Sequence, residues 1–191
     1  MAHRHFKLFK PYGYLSQFES NARHEKNKKF LGDLYEFPKG TMAIGRLDKD
    51  SEGLLLLTTD GKVSYEITGS KVEKEYYVQV DGVIDDEALY KLQHGVEISH
   101  RSDNYVTMPC RAILLDDPPQ FPKRLKNIRE HRHGETSWIS ITINEGKFRQ
   151  VRKMTAKVGY PTLRLVRVRI GTITLDNLTM GSVQELNNLL E

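Results

Sequence analysis

Cysteine is almost missing from this sequence. Cys110 is the only one in 191 residues, which excludes an internal disulfide and any cysteine-based zinc site. A reducing, cytoplasmic setting is the expectation that follows. Long apolar runs are missing too: none approaches the roughly 18–20 residues needed to span a bilayer. The opening "MAHRHFKLFKPYGY" lacks the apolar core of a signal peptide, so no membrane partner is expected. No internal repeat, low-complexity tract or heptad run occurs. Acids are absent from one long stretch, residues 147–169, "KFRQVRKMTAKVGYPTLRLVRVR".

What is present is a globular composition, with 38% hydrophobic and 28% charged residues. The length suits one domain, taken as residues 5–191, or two closely joined halves. A net charge of +4 is modest, so its placement decides its meaning. Beside the acid-free stretch stands a second basic block, "PKRLKNIREHRH" (122–133), with Lys123, Arg124, Lys126, Arg129 and Arg132 against one Glu. Either block alone would pass as solvated surface. Together they are the electrostatic footprint of a polyphosphate partner, RNA or DNA. His131 and His133 have no Cys or paired acid beside them, so no metal site is expected.

Periodicity gives a run of strands with helices inserted. Residues 5–9 read as a strand that breaks at Pro11 and Gly13, and 21–40 as a loop with a helical turn near Phe30, Leu31 and Leu34. "TMAIGRL" is a strand, and "GLLLLTTDG" (53–61) a buried strand closed by an Asp-Gly turn. Strands are also expected at 73–82, 107–116 and 137–146, and in the alternating "TLRLVRVRIGTITL". "DDEALYKLQHG" (85–95) is a helix capped by Asp85 or Asp86 and stopped by Gly95; "RQVRKMTAKVG" is a second, ended by Gly159 and Pro161. Residues 117–135 form a long loop. The class is α+β with a largely antiparallel mixed sheet.

"GRLDKDSEGLLLL" (45–57) sets Asp48, Asp50 and Glu52 on alternate positions before a wall of leucine. A calcium loop counted from Asp48 would need Glu at its twelfth position, where Thr59 stands. An Asp-x-Asp phosphoryl-transfer nucleophile would need an unbroken strand ahead of it, and Gly45 and Arg46 interrupt that strand. A solvated acidic turn remains open on residue types alone. So does a site: Asp48 held ionised by Arg152, with Tyr76 as a flat neighbour, would suit one base drawn out of its stack. Tyr76, followed by Tyr77, could equally be packing.

At these residues the chain resembles the RsuA/RluB/RluE/RluF family of pseudouridine synthases. "GRLDKDSEGLLLLTTDG" matches its signature, "KPYGYLSQF" (10–18) its first motif, "KEYYVQV" (74–80) its tyrosine motif and "INEGKFRQVRKM" (143–154) its arginine motif. Order and spacing agree from about residue 5 to the end. The tail is most similar to the RluE type, which modifies 23S ribosomal RNA. The resemblance implies that fold, in two α/β halves flanking a cleft, and a monomer acting on ribosomal RNA without a cofactor. It puts the catalytic aspartate at Asp48, the base-stacking tyrosine at Tyr76, the carboxylate's basic partner at Arg152 and the base-displacing arginine at Arg46. Lys10, Lys123, Arg124, Arg129, Lys147, Arg149 and Lys153 complete the expected RNA-binding set.

Many relatives begin with a small S4-type RNA-binding domain, and this chain opens almost directly on the first motif. The basic blocks are therefore expected to select the target. The rival of another class is a non-catalytic ribosome-assembly factor on the same fold. The intact Asp48, Tyr76 and Arg152 set argues for the enzyme.

Overall fold

The computed structural model describes residues 2–19, 27–69, 72–100, 103–124, 128 and 134–190. The chain divides into two compact units, one of residues 1–72 with 167–191, the other of 73–166. No helix among the described residues is long and apolar enough to cross a membrane.

The first unit is built on β1 (His5–Lys10) and β3 (Glu52–Thr58), paired antiparallel from His5↔Thr58 to Lys10↔Gly53. β2 (Met42–Ile44) lies along β3, and β11 (Val183–Leu186) along the other edge of β1. Every residue of β1 and β3 is buried, so both faces of these strands are covered. Side chains alternate along a strand. Leu55 and Leu57 thus join Phe6, Leu8 and Leu31 in one cluster, against which Phe18, Leu34 and Phe37 pack. Leu31 comes from a short 3-10 turn, Leu31–Asp33, where the apolar patch predicted one.

Two departures from the sequence reading occur here. Asp60-Gly61, read as a turn closing the strand, instead starts helix α1 (Gly61–Gly69). Asp60 Oδ1 accepts from the Lys62 N–H at 2.9 Å, so the aspartate acts as an N-cap. The alternating run 162–175 is also not one strand: it breaks after Ile170, and β10 (Ile173–Thr174) turns back antiparallel on the end of β9 (Thr162–Ile170).

The second unit carries β4 (Lys74–Asp81), β8 (Thr136–Ile143) and β7 (Arg111–Leu114), antiparallel in that spatial order. Tyr76, Val78 and Val80 alternate inward on β4, as its sequence predicts. Helix α2 (Asp86–His94) is capped by Asp85, whose Oδ1 accepts from the Ala88 N–H at 2.8 Å; Gly95 follows with φ 100°. The expected strand at 107–116 shortens to β7. Its first part is drawn away by Thr107 N–H donating to Val96 O and Cys110 N–H donating to Gln93 O, both at 3.0 Å. A hairpin of β5 (Glu97–His100) and β6 (Asp103–Val106) lacks any counterpart in the sequence reading. Helix α3 (Gln150–Lys157) begins one residue later than expected, because Arg149 sits in the left-handed region at φ 52°. The folded chain is α+β with a largely antiparallel sheet.

Candidate active site

The acidic turn is fastened by the first motif. The Ser16 hydroxyl donates to Leu47 O at 2.8 Å and accepts from the Leu47 N–H at 3.0 Å. Gly13 N–H donates to Lys49 O at 2.8 Å, and Ser51 N–H closes the turn on Asp48 O at 3.1 Å. Asp48 is thus gripped on both sides through backbone atoms of its neighbours. It is half-buried, while Arg46 before it is exposed.

Behind the turn lies a group of buried charges. Lys10 is fully buried, and its ammonium donates to Pro11 O at 3.1 Å and Tyr14 O at 2.7 Å. The lysine therefore ties down the segment that holds the turn. Burial pushes its pKa down to about 7, against the opposing pull of Glu52, Asp50 and Asp48. Glu52 is itself 0% exposed. Arg167, also buried, donates from Nε to Leu54 O at 2.8 Å and adds positive charge near Lys10. Its backbone runs so close to Gly53 that a Cβ on that glycine would stand 2.2 Å from Arg167 O. Gly53 adopts φ 107°, and glycine alone fits this approach.

These positions correct part of the sequence reading. Lys10 belongs to the expected RNA-binding set, but with no exposed surface it cannot meet a phosphate; its partners are the turn's own supports. The acid-free basic stretch is likewise not one RNA-facing surface. Arg164 and Arg167 are both buried. Arg164 lies over the Phe121 ring at 5.4 Å and donates to Pro122 O at 2.9 Å. Phe121 in turn meets Tyr77 and Trp138, which anchors the start of the long loop. Arg167, buried beside Gly53 and Lys10, is a neighbour of the turn that the sequence did not single out, since a strand arginine reads first as solvated.

In the second unit Tyr76 is 9% exposed on β4, opposite Ile141 of β8, and Arg152 is half-buried on α3. Around the start of α3, Lys147 and Arg149 are half-buried; its N–H donates to Gln150 Oε1 in the case of Lys147, at 2.9 Å. Lys153 donates to Ser99 O at 2.6 Å. Lys123 is exposed and Arg124 half-buried. Arg129, with Lys126, Arg132, His131 and His133, lies outside the described residues. Each unit thus holds its own share of the expected site: Asp48 and Arg46 in the first, Tyr76, Arg152 and the α3 cations in the second.

Comparison with known proteins follows the same lines. The family model described as RNA pseudouridylate synthase matches residues 5–157. A Vibrio parahaemolyticus protein named ribosomal large subunit pseudouridine synthase E is 43% identical over 179 residues, 93% of this chain and 71% of that protein. A protein of the same name from Xanthomonas axonopodis pv. citri is 43% identical over 90% of this chain and 87% of its own length. Among solved structures, a crystal structure of a pseudouridylate synthase superposes with a TM-score of 0.76 at 26% identity, covering 97% of this chain and 70% of that one. With its signature aspartate turn in place, this chain belongs to the RNA pseudouridylate synthase family.

Proposed function

We propose that this protein isomerises a uridine of large-subunit ribosomal RNA to pseudouridine, in the cytoplasm, with Asp48 as the reacting carboxylate. The observation that carries the reading is the turn itself. The Gly13 N–H and the Ser16 hydroxyl bond the backbone of Lys49 and Leu47 on the two sides of Asp48, and buried Lys10 and Arg167 stand behind it. A carboxylate held this firmly needs little reorganisation when it meets its substrate.

The reaction breaks the N1–C1′ bond, turns the uracil and forms the C5–C1′ bond. The C5 proton leaves and N1 ends protonated, so composition is unchanged and no redox or phosphate donor enters. Asp48 acts on the nucleotide as nucleophile or as base. Tyr76 stacks on the extruded uracil, Arg152 pairs with the Asp48 carboxylate, and Arg46 fills the space the base vacates. Lys123, Arg124, Arg129, Lys147, Arg149 and Lys153 hold flanking phosphates.

Tritium release from 5-tritiated uridine in large-subunit RNA tests the reading. Wild-type protein releases tritium; Asp48→Asn releases none, yet keeps RNA affinity within about three-fold because phosphate contacts dominate binding. Release by the variant at the wild-type rate removes Asp48 from the chemistry. No release by wild type from any ribosomal RNA or precursor particle leaves RNA binding without catalysis.

A further inference from the structure

Phe148 is 68% exposed, just ahead of α3. Single exposed apolar residues are ordinary, and Tyr65 and Tyr90, also strongly exposed, keep a phenol that water can bond. Phe148 has no polar atom, and its surroundings are built. Lys153 Nζ lies 5.4 Å from the ring centroid and is tethered to Ser99 O of the β5–β6 hairpin. The segment under the ring is stiff. Glu145 accepts from the Tyr105 hydroxyl at 2.6 Å, from Met108 N–H at 2.9 Å and from Gln150 Nε2 at 2.5 Å. Lys147 N–H bonds Gln150 Oε1, while its ammonium rests 4.6 Å from the Tyr105 ring centroid. Arg149, in the left-handed region at φ 52°, follows Phe148 directly and leads into α3. The result is a flat apolar ring held out into solvent among Lys147, Arg149 and Lys153.

That combination fits an unpaired nucleobase. Bases stack on aromatic rings regardless of sequence, and adjacent cations take the phosphates on either side. An acidic or apolar protein partner would answer only half of the patch. We propose that Phe148, with Lys153 against its ring, is a stacking platform for an unpaired base neighbouring the target uridine, a role resting on the RNA reading above. Phe148 does no chemistry; it sets where along the RNA the enzyme stops.

The test compares wild type with Phe148→Leu, Phe148→Trp and Lys153→Ala on a large-subunit RNA fragment that wild type converts. Loss of a base stack corresponds to about a ten- to hundred-fold loss of affinity. Phe148→Leu, as apolar but without a ring face, therefore raises KM about ten-fold or more, with kcat changed less than two-fold. Phe148→Trp retains wild-type KM. Scanning 2-aminopurine through the unpaired positions finds one whose emission is quenched by wild type and recovers with Phe148→Leu. The salt slope of binding is unchanged in Phe148→Leu and falls by about 0.7–0.9 in Lys153→Ala. Equal thermal unfolding of the variants shows that the fold is intact. Wild-type KM in Phe148→Leu, or no 2-aminopurine position that depends on Phe148, overturns the platform while the isomerase reading stands. If wild type converts no uridine, the reading beneath it fails first.

Discussion

Replacing Lys10 with Met probes the charges behind the acidic turn. Lys10 is fully buried beneath Asp48, and its ammonium is bonded to Pro11 O and Tyr14 O. Met fills much of the same volume but leaves both carbonyls short of a donor, at about 1–3 kcal/mol for each group that finds no substitute. It also removes positive charge facing buried Glu52, and unbalancing a buried charge costs about 3–5 kcal/mol. Burial outweighs the acids in setting the pKa of Lys10, so relieving the ammonium's desolvation offsets the charge lost, and the net loss at pH 7 is that of the stranded carbonyls, about 1–3 kcal/mol. The pH dependence follows from the pKa of about 7, low because of burial. Unfolded, Lys10 titrates near 10.4. Between those values the unfolded chain binds one proton more, so wild-type stability gains about 1.4 kcal/mol per pH unit from this group. Below pH 7 both states are protonated and the gain is flat. The deficit of Lys10→Met therefore widens from pH 7 to pH 9. Urea unfolding followed by circular dichroism at several pH values measures it. A variant within about 1 kcal/mol of wild type, with a parallel pH profile, refutes the role given to Lys10.

Two further outcomes test the packing around this site and beyond it. Gly53→Ala forces a Cβ onto the Arg167 backbone at φ 107° and lowers stability by about 2–5 kcal/mol. Gly61→Ala, with nothing within 4 Å of the new carbon, changes it by less than about 1 kcal/mol; equal melting temperatures for the two variants would contradict the close approach. Burial, with a smaller contribution from Glu145, pushes the Cys110 thiol up to about 11. Its thiolate is scarce at pH 8, and iodoacetamide labels it at least about ten-fold more slowly than a free cysteine; labelling at the free rate would contradict the burial.

The sequence was most legible where one local rule acted alone. Period-two alternation located β4, and a short polar side chain before an apolar helix face narrowed the α2 cap to Asp85 or Asp86, of which Asp85 serves. Helix α1 was hidden because "GKVSYEITG" spaces Val63, Tyr65 and Ile67 like a strand, and only Ile67 is buried. There the choice between a turn and an N-cap for Asp60 rested on tertiary packing. The buried cations were hidden for a different reason. Lysine and arginine are exposed by default, so Lys10, Arg164 and Arg167 read as surface. Yet the motif that raised the question held a clue to its own answer. Asp48, Asp50 and Glu52 lead straight into a seven-residue strand with no exposed position. A strand buried that completely cannot begin on a glutamate unless positive charge is buried beside it. Its neighbours supply that charge: Lys10 sits opposite Gly53 on β1, and Arg167 presses its backbone against the same glycine. The lone glycine between acids and leucines is therefore the contact point through which two buried cations reach the turn that carries Asp48.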